Sequence, residues 1–125
     1  MKMSVTRLHH VQVSVPRGSE DAVRAFYCGI LGLTEVEKPD VLRARGGLWL
    51  AIDGRPALHF GTEDVAGRGA SKRHVAFEVD DLDGVRKRLR DAGVPTEDGI
   101  QLPGLRRFEC RDPFGNRLEL LSLVT

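Results

Sequence analysis

The chain has 125 residues, of which 41% are hydrophobic and 30% charged, and its formal net charge is +1. A chain of this length can bury a core without a disulfide or a structural metal. Its nearly balanced charge predicts no nucleic-acid or anionic-membrane partner, so we expect the partner to be a small molecule. The N-terminus has no apolar segment typical of an export signal, and no run of about 18 apolar residues follows, so we expect a cytoplasmic protein.

The first predicted element is a strand in which Val11, Val13 and Val15 alternate with polar residues. A helix is predicted next, over about 20–31, because apolar residues recur there at helical spacing. Two apolar runs, "GGLWLAID" and "ALHFG", flank a turn at 53–56 and predict a hairpin.

The same order of elements recurs in the second half of the chain. A strand with alternating apolar residues begins at His74, and Asp80 or Asp81 is expected to cap the helix that Gly93 ends. The runs "LRRFECR" and "RLELLSL" flank a turn at 112–116 and predict a second hairpin.

This internal repeat predicts one domain over residues 1–125, built from two βαβββ modules at about 7–61 and 72–123. A module of about 55 residues is marginal alone, so we expect the two to share a sheet. The predicted fold class is α+β, with a cupped mixed sheet and the helices on the outside. The cysteines, Cys28 and Cys110, lack the spacing of a metal site and are expected to be reduced core residues.

Side chains that could bind a metal recur at equivalent positions of the two modules. Neighbouring residues of a strand face opposite sides of its sheet, so the residues between the apolar ones share a face. In the first strand of each module that face carries His10 and His74, and in the last strand it carries His59 and Glu119. Imidazole nitrogen and carboxylate oxygen suit Zn, Ni, Co, Mn or Fe, so the pattern predicts one divalent metal site. His9 has the opposite parity and is expected at a strand edge.

Other residues are candidates for substrate binding. Trp49 lies between two leucines and could form an apolar wall for a substrate or pack in the core. Four arginines could bind a substrate anion or be solvated charges: Arg43, Arg45, Arg106 and Arg107. Arg107 shares its parity with Glu109, opposite the apolar face, which makes it the candidate to test as an anion clamp.

Four segments carry a resemblance to a known family: "HHVQVSVP", "AFYCGILGL", "HVAFEVDDLD" and "DPFGNRLEL". Together they resemble the vicinal oxygen chelate superfamily, which includes glyoxalase I, extradiol dioxygenases, fosfomycin-resistance thiol transferases and bleomycin-binding proteins. The resemblance covers almost the whole chain. It implies paired βαβββ modules around a divalent metal, usually in a homodimer, with ligands at the positions matched by His10, His59, His74 and Glu119.

The resemblance implies a glyoxalase-like metalloenzyme in which Glu119 or His59 moves a proton of a small oxygen-chelating substrate. His59 departs from the pattern, because glyoxalase I has glutamate there and the epimerases of the superfamily, such as methylmalonyl-CoA epimerase, have glutamine, so it is either a fourth ligand or a base beside the metal. The alternatives are a small Fe(II) extradiol-type dioxygenase, a thiol transferase of the fosfomycin-resistance type and a drug-binding protein without turnover. The modules could pair within a chain or be exchanged between subunits.

Overall fold

The computed structural model describes residues 3–124. In the first half the elements are β1 (Val11–Val15), α1 (Glu20–Val23), β2 (Thr34–Val36), β3 (Leu48–Ile52) and β4 (Arg55–Thr62). In the second half they are β5 (His74–Glu78), α2 (Leu82–Asp91), β6 (Thr96–Asp98), β7 (Leu105–Arg111) and β8 (Arg117–Leu123). Short 3₁₀ helices occupy Asp40–Arg45 and Arg68–Ala70. The prediction of an α+β fold with two βαβββ modules is confirmed.

Each module forms a four-stranded mixed sheet, with strand orders β1-β4-β3-β2 and β5-β8-β7-β6. The first and last strands of a module pair in parallel, and its other neighbours are antiparallel. The sequence led us to expect one shared sheet, whereas the described strands form two. The long connection that a parallel pair requires is supplied inside each module by its helix and intervening strands, so each sheet is complete in itself.

The chain divides into two compact units that do not coincide with the sequence repeat. One unit contains β1–β4, and the other contains Asp21–Gly32 together with the described chain from Val65 onward. Two hydrogen bonds join residues 21–32 to the rest of the second unit. The Tyr27 hydroxyl donates to Asp112 Oδ2 at 2.7 Å, and Arg88 Nη1 donates to the Ile30 carbonyl at 2.8 Å.

The first helix begins at Glu20 as predicted but is α-helical only to Val23, and it continues as a π-helix over Arg24–Cys28. The wider turn is seen in the hydrogen bond from Gly29 N to the Arg24 carbonyl, which spans five residues at 2.9 Å. A Cβ at Gly29 would lie 2.4 Å from the Ala25 carbonyl oxygen, so only glycine fits this turn.

The second helix is capped by Asp81, whose Oδ1 accepts a hydrogen bond of 3.0 Å from Gly84 N. This contact decides between the two candidate caps, Asp80 and Asp81. Leu82, Val85 and Leu89 form the buried face of α2. None of the helices in residues 3–124 is long and apolar enough to cross a membrane.

Strand alternation separates an apolar face from a polar face in each sheet. In the first sheet the buried residues of the apolar face are Val13, Val15, Leu48, Leu50, Leu58 and Phe60; in the second they are Phe77, Phe108, Cys110, Leu118 and Leu120. The strands that follow the helices, β2 and β6, are three residues long and partly polar, so they carry no apolar run that marks them in the sequence. The opposite faces carry the predicted site residues.

Candidate functional site

Three aromatic side chains form a continuous stack on the polar face of the first sheet. The His59 ring lies between the rings of Trp49 and His10, with centroid distances of 3.9 Å and 4.0 Å and interplanar angles of 7° and 16°. Trp49 and His59 are directly paired across β3 and β4, which is why their side chains meet. We call these three residues the histidine stack.

His59 is the fixed member of the histidine stack. It is 7% exposed, and its Nε2 lies 3.1 Å from the Pro56 carbonyl oxygen. A carbonyl only accepts, so Nε2 carries the hydrogen of the neutral ring and Nδ1 keeps its lone pair. Burial lowers the pKa of His59, and the neighbouring His10 lowers it further, so the neutral ring is favoured.

His9 and His10 precede β1 and are both exposed. Their Nδ1 atoms are 3.0 Å apart, and their rings meet edge to face with centroids 5.2 Å apart. Alternation predicts opposite sides for these neighbours, but it holds only inside a strand, and β1 begins at Val11. His9 was therefore missed as a neighbour of the site.

The histidine stack lines an open cleft of about 520 Å³ that lies entirely in the first unit. Lys38 and Arg45 bring positive charge to the cleft, and Lys38 Nζ donates to the Gly46 carbonyl. Gln12 also lines it and packs so closely on Gly61 that a Cβ there would lie 2.4 Å from Gln12 Nε2. Spacing alone does not single out Lys38 or Gln12, because Lys38 lies outside the predicted elements and Gln12 is one of several polar residues that alternate with the valines of the first strand.

A second cluster lies on the polar face of the second sheet. His74 Nδ1 is 3.0 Å from the Lys72 carbonyl oxygen, so Nδ1 carries the hydrogen and Nε2 keeps its lone pair. That Nε2 lies 3.9 Å from Glu119 Oε1. Glu119 is 7% exposed although it is a carboxylate, which makes a charged partner necessary.

Arg107 is the charged partner of Glu119. Its Nη1 donates to Glu119 Oε1 at 2.7 Å, and its Nε donates to the Ile100 carbonyl at 2.9 Å. Arg107 lies diagonally across β7 and β8 from Glu119, which a long side chain can span. We call His74, Glu119 and Arg107 the carboxylate cluster. The neighbouring charges on this face, Glu109 and Arg117, pair with each other.

The other arginine candidates have different surroundings. Arg43 pairs with Asp40 at 3.1 Å, and Arg106 pairs with Asp83 at 2.8 Å, both on exposed side chains. The Asp83 contact raises the pKa of Arg106. Both are therefore solvated ion pairs, whereas Arg45 lines the cleft of the first unit.

The cysteines have no chemical role in either cluster. Both are thiols, with Cys28 half-buried and Cys110 buried. Burial, aided by the nearby Asp112 carboxylate, raises the pKa of Cys110 to about 12, so this thiol stays protonated at neutral pH.

The donor set of the carboxylate cluster fits a divalent metal. Histidine ligands commonly donate one ring hydrogen to a carbonyl and bind the metal with the other nitrogen, as His74 is arranged to do. Metal bonds of about 2.0–2.2 Å to each atom span up to about 4.2 Å, so one ion can reach both His74 Nε2 and Glu119 Oε1. Within residues 3–124, no three His, Cys, Asp or Glu side chains are grouped closely enough to hold a metal ion.

The paired modules and the polar residues on their sheets agree with the sequence comparison. Residues 7–120 match the sequence profile of the glyoxalase/bleomycin resistance protein/dioxygenase superfamily. The chain belongs to this superfamily. No curated protein sequence matches the chain.

Solved structures support membership of the glyoxalase/bleomycin resistance protein/dioxygenase superfamily. A Bacillus anthracis protein assigned to the glyoxalase family is 35% identical, with a TM-score of 0.89 over 99% of this chain and all of that one. The antibiotic-binding protein TnmS3 from Streptomyces sp. CB03234 is 22% identical, with a TM-score of 0.70 over 98% of this chain and all of that one. The fosfomycin resistance protein FosX from Listeria monocytogenes is 18% identical, with a TM-score of 0.75 over 97% and 96% of the two chains. The last two likenesses show the shared fold alone.

Proposed function

We propose that the protein is a glyoxalase-like, divalent-metal-dependent enzyme that moves a proton within a small oxygen-chelating substrate. The observation that carries this proposal is the arrangement of His74, whose Nδ1 is held by a carbonyl while Nε2 lies 3.9 Å from the buried Glu119 carboxylate. Glu119 is largely buried whereas His74 is 38% exposed, so a cation from solvent can reach an imidazole nitrogen and a carboxylate oxygen at the same place.

We assign His10, His74 and Glu119 as the metal ligands and His59 as a base beside them. An imidazole binds a metal in the plane of its ring, at about 2.0–2.1 Å from nitrogen. The rings of His10 and His59 are stacked, and their planes are only 16° from parallel. Two such planes intersect far from both rings, so no single ion can lie in both planes at bonding distance from both nitrogens. His59 is buried and held by Pro56, whereas His10 is exposed and can turn, so His59 is the ring that stays out of coordination.

In this proposal a divalent metal held by His10, His74 and Glu119 would supply Lewis-acid stabilisation of the negative charge that develops on two neighbouring substrate oxygens. His59 Nδ1 removes the proton from the carbon beside the carbonyl and returns it to the adjacent carbon, so that the reaction is an isomerisation without net gain or loss of atoms. Glu119 is a poorer choice of base because its carboxylate is assigned to the metal.

Trp49 and Arg107 are proposed to bind the substrate. Trp49 is half-buried on the polar face and lines the cleft, where its exposed surface can cover an apolar part of the substrate. Arg107 can donate hydrogen bonds to a substrate oxyanion when its guanidinium leaves Glu119.

The test is elemental analysis of chelator-free protein, with His74→Ala and His59→Ala beside the wild type. We expect about one metal per chain in the wild type and in His59→Ala, and little in His74→Ala, because of these two histidines only His74 is assigned as a ligand. His9→Ala is the matched control, since it removes an imidazole outside the ligand set.

Several outcomes of this experiment would change the assignment. Equal metal loss in His59→Ala and His74→Ala would make His59 a ligand rather than a base. Bound iron would direct the search to catechols and oxygen uptake, as for an extradiol-type dioxygenase. Zinc, nickel or cobalt would direct it to α-ketoaldehydes, epimerisable thioesters and thiol transfer.

A second candidate function is binding of a small molecule without turnover. It is favoured by the aromatic wall of the cleft, where the stacked rings of Trp49, His59 and His10 can contact a planar or apolar ligand. Wild-type protein that neither carries metal nor takes up added metal would support this candidate and contradict the metalloenzyme.

A further inference from the structure

Arg107 occupies the carboxylate oxygen that a metal bound to His74 would need. Glu119 Oε1 lies 2.7 Å from Arg107 Nη1 and 3.9 Å from His74 Nε2. Both side chains of the ion pair are largely buried, with 15% of Arg107 and 9% of Glu119 exposed. A guanidinium and a divalent cation beside the same buried oxygen repel each other strongly, because solvent screens them little.

The surroundings of Arg107 allow it to leave this oxygen. Besides Glu119, its hydrogen-bond partner among the described residues is the Ile100 carbonyl, at the exposed segment before β7. Gly99 lies against the guanidinium, where a Cβ would be 3.3 Å from Arg107 Cζ. A side chain at position 99 would crowd the planar group, and glycine avoids that contact.

We propose that Arg107 and the metal compete for Glu119, so that metal binding releases the guanidinium to bind a substrate oxyanion. The inference rests on the proposed metal-dependent function and adds an order of events to it. Before the metal binds, Arg107 neutralises the buried carboxylate. Once a metal is bound, the metal would neutralise the Glu119 carboxylate, and the Arg107 guanidinium would be available to bind a substrate anion.

The first test compares Zn²⁺ affinity in the wild type, Arg107→Gln and Arg106→Gln by competition with a chromogenic chelator. Arg106→Gln is the matched control, because it removes the same charge from the adjacent residue, which pairs with Asp83 instead. We expect Arg107→Gln to bind Zn²⁺ about tenfold more tightly or better, and Arg106→Gln to stay within about twofold of the wild type. Equal or weaker binding by Arg107→Gln would overturn the competition.

The second test uses the wild-type protein and does not depend on how well the variant folds. Phenylglyoxal labelling of Arg107 and Arg106 is measured by peptide mass spectrometry with and without Zn²⁺. Metal should increase labelling of Arg107 and leave Arg106 unchanged, while constant or reduced labelling of Arg107 would contradict its release.

The two proposals can fail separately. Metal uptake without a change in Arg107 labelling overturns the release of Arg107 and leaves the metal-dependent function standing. Failure of both the wild type and Arg107→Gln to bind Zn²⁺, Ni²⁺, Co²⁺, Mn²⁺ or Fe²⁺ overturns both proposals. Uptake by Arg107→Gln alone supports the competition directly.

Discussion

Tyr27 and Asp112 are separated by 85 positions in the chain and are joined by a buried hydrogen bond. Asp112 also accepts hydrogen bonds from Phe114 N, Asn116 N and Asn116 Nδ2, so it holds the turn between β7 and β8 in place. Tyr27 itself has no exposed surface. The turn at 112–116 is predictable from its proline and glycine, but the tyrosine that anchors it is not.

We expect Tyr27→Phe to lower the free energy of unfolding by about 1.5–3 kcal/mol at pH 7, because it removes a hydrogen bond to a carboxylate in the core. Burial raises the pKa of Tyr27 well above 10, and the Asp112 charge raises it further. A raised pKa means that the unfolded state loses the phenolic proton first, so the wild type should lose stability as pH rises above about 10. Urea unfolding at pH 7 and above pH 10 measures both effects. A stability difference between wild type and variant that does not shrink at high pH would contradict this account.

Gly47 shows how one element of the cleft is placed. It precedes β3 with a φ of +79°, and a Cβ there would lie 2.0 Å from the Phe60 carbonyl oxygen of β4. The close approach brings the start of β3 against β4 and so helps to set the register that pairs Trp49 with His59. The sequence "GG" marks a special backbone position but does not reveal which neighbour it approaches.

Gly47→Ala should therefore destabilise the fold by more than the cost of a left-handed alanine. Gly32→Ala is the matched control, because Gly32 has a φ of +82° and nothing within 4 Å of its Cβ position. We expect the control to lose about 1–2 kcal/mol and Gly47→Ala to lose clearly more, as measured by urea unfolding. Equal losses would show that the backbone relaxes and that the contact with Phe60 is unimportant.

The distribution of ligands over the molecule leads to an expectation about assembly. His10 belongs to one compact unit, whereas His74 and Glu119 belong to the other. The ligand set proposed above draws on both units, and we propose that in a homodimer each metal site takes His10 from one chain and His74 with Glu119 from its partner.

Mixed dimers can test this expectation. His10→Ala and Glu119→Ala should each be metal-poor alone, but a mixture refolded together should recover metal, because the mixed dimer contains one site with all three ligands. Sedimentation should give twice the chain mass of 13.8 kDa. A monomer, or a mixture that stays as metal-poor as its components, would place the complete site within one chain.

The sequence by itself determined the two βαβββ modules and the faces on which the candidate residues lie. Alternation along a strand is a property of consecutive residues, so the shared parity of His59 and Trp49, or of Glu119 and Arg107, can be read without knowing any partner. The start of the second helix was predictable, because the Asp81 side chain caps it through a backbone amide only three residues away. The π-helix after Val23 was not predictable.

The tertiary structure alone decided which of these side chains meet. The ring stack on His59 and the ion pair of Arg107 with Glu119 depend on strand register and on side-chain rotamers. The packing of residues 21–32 with the second unit likewise depends on contacts between distant parts of the chain. Such contacts reflect the best packing of the entire core, and no local pattern of residues encodes them.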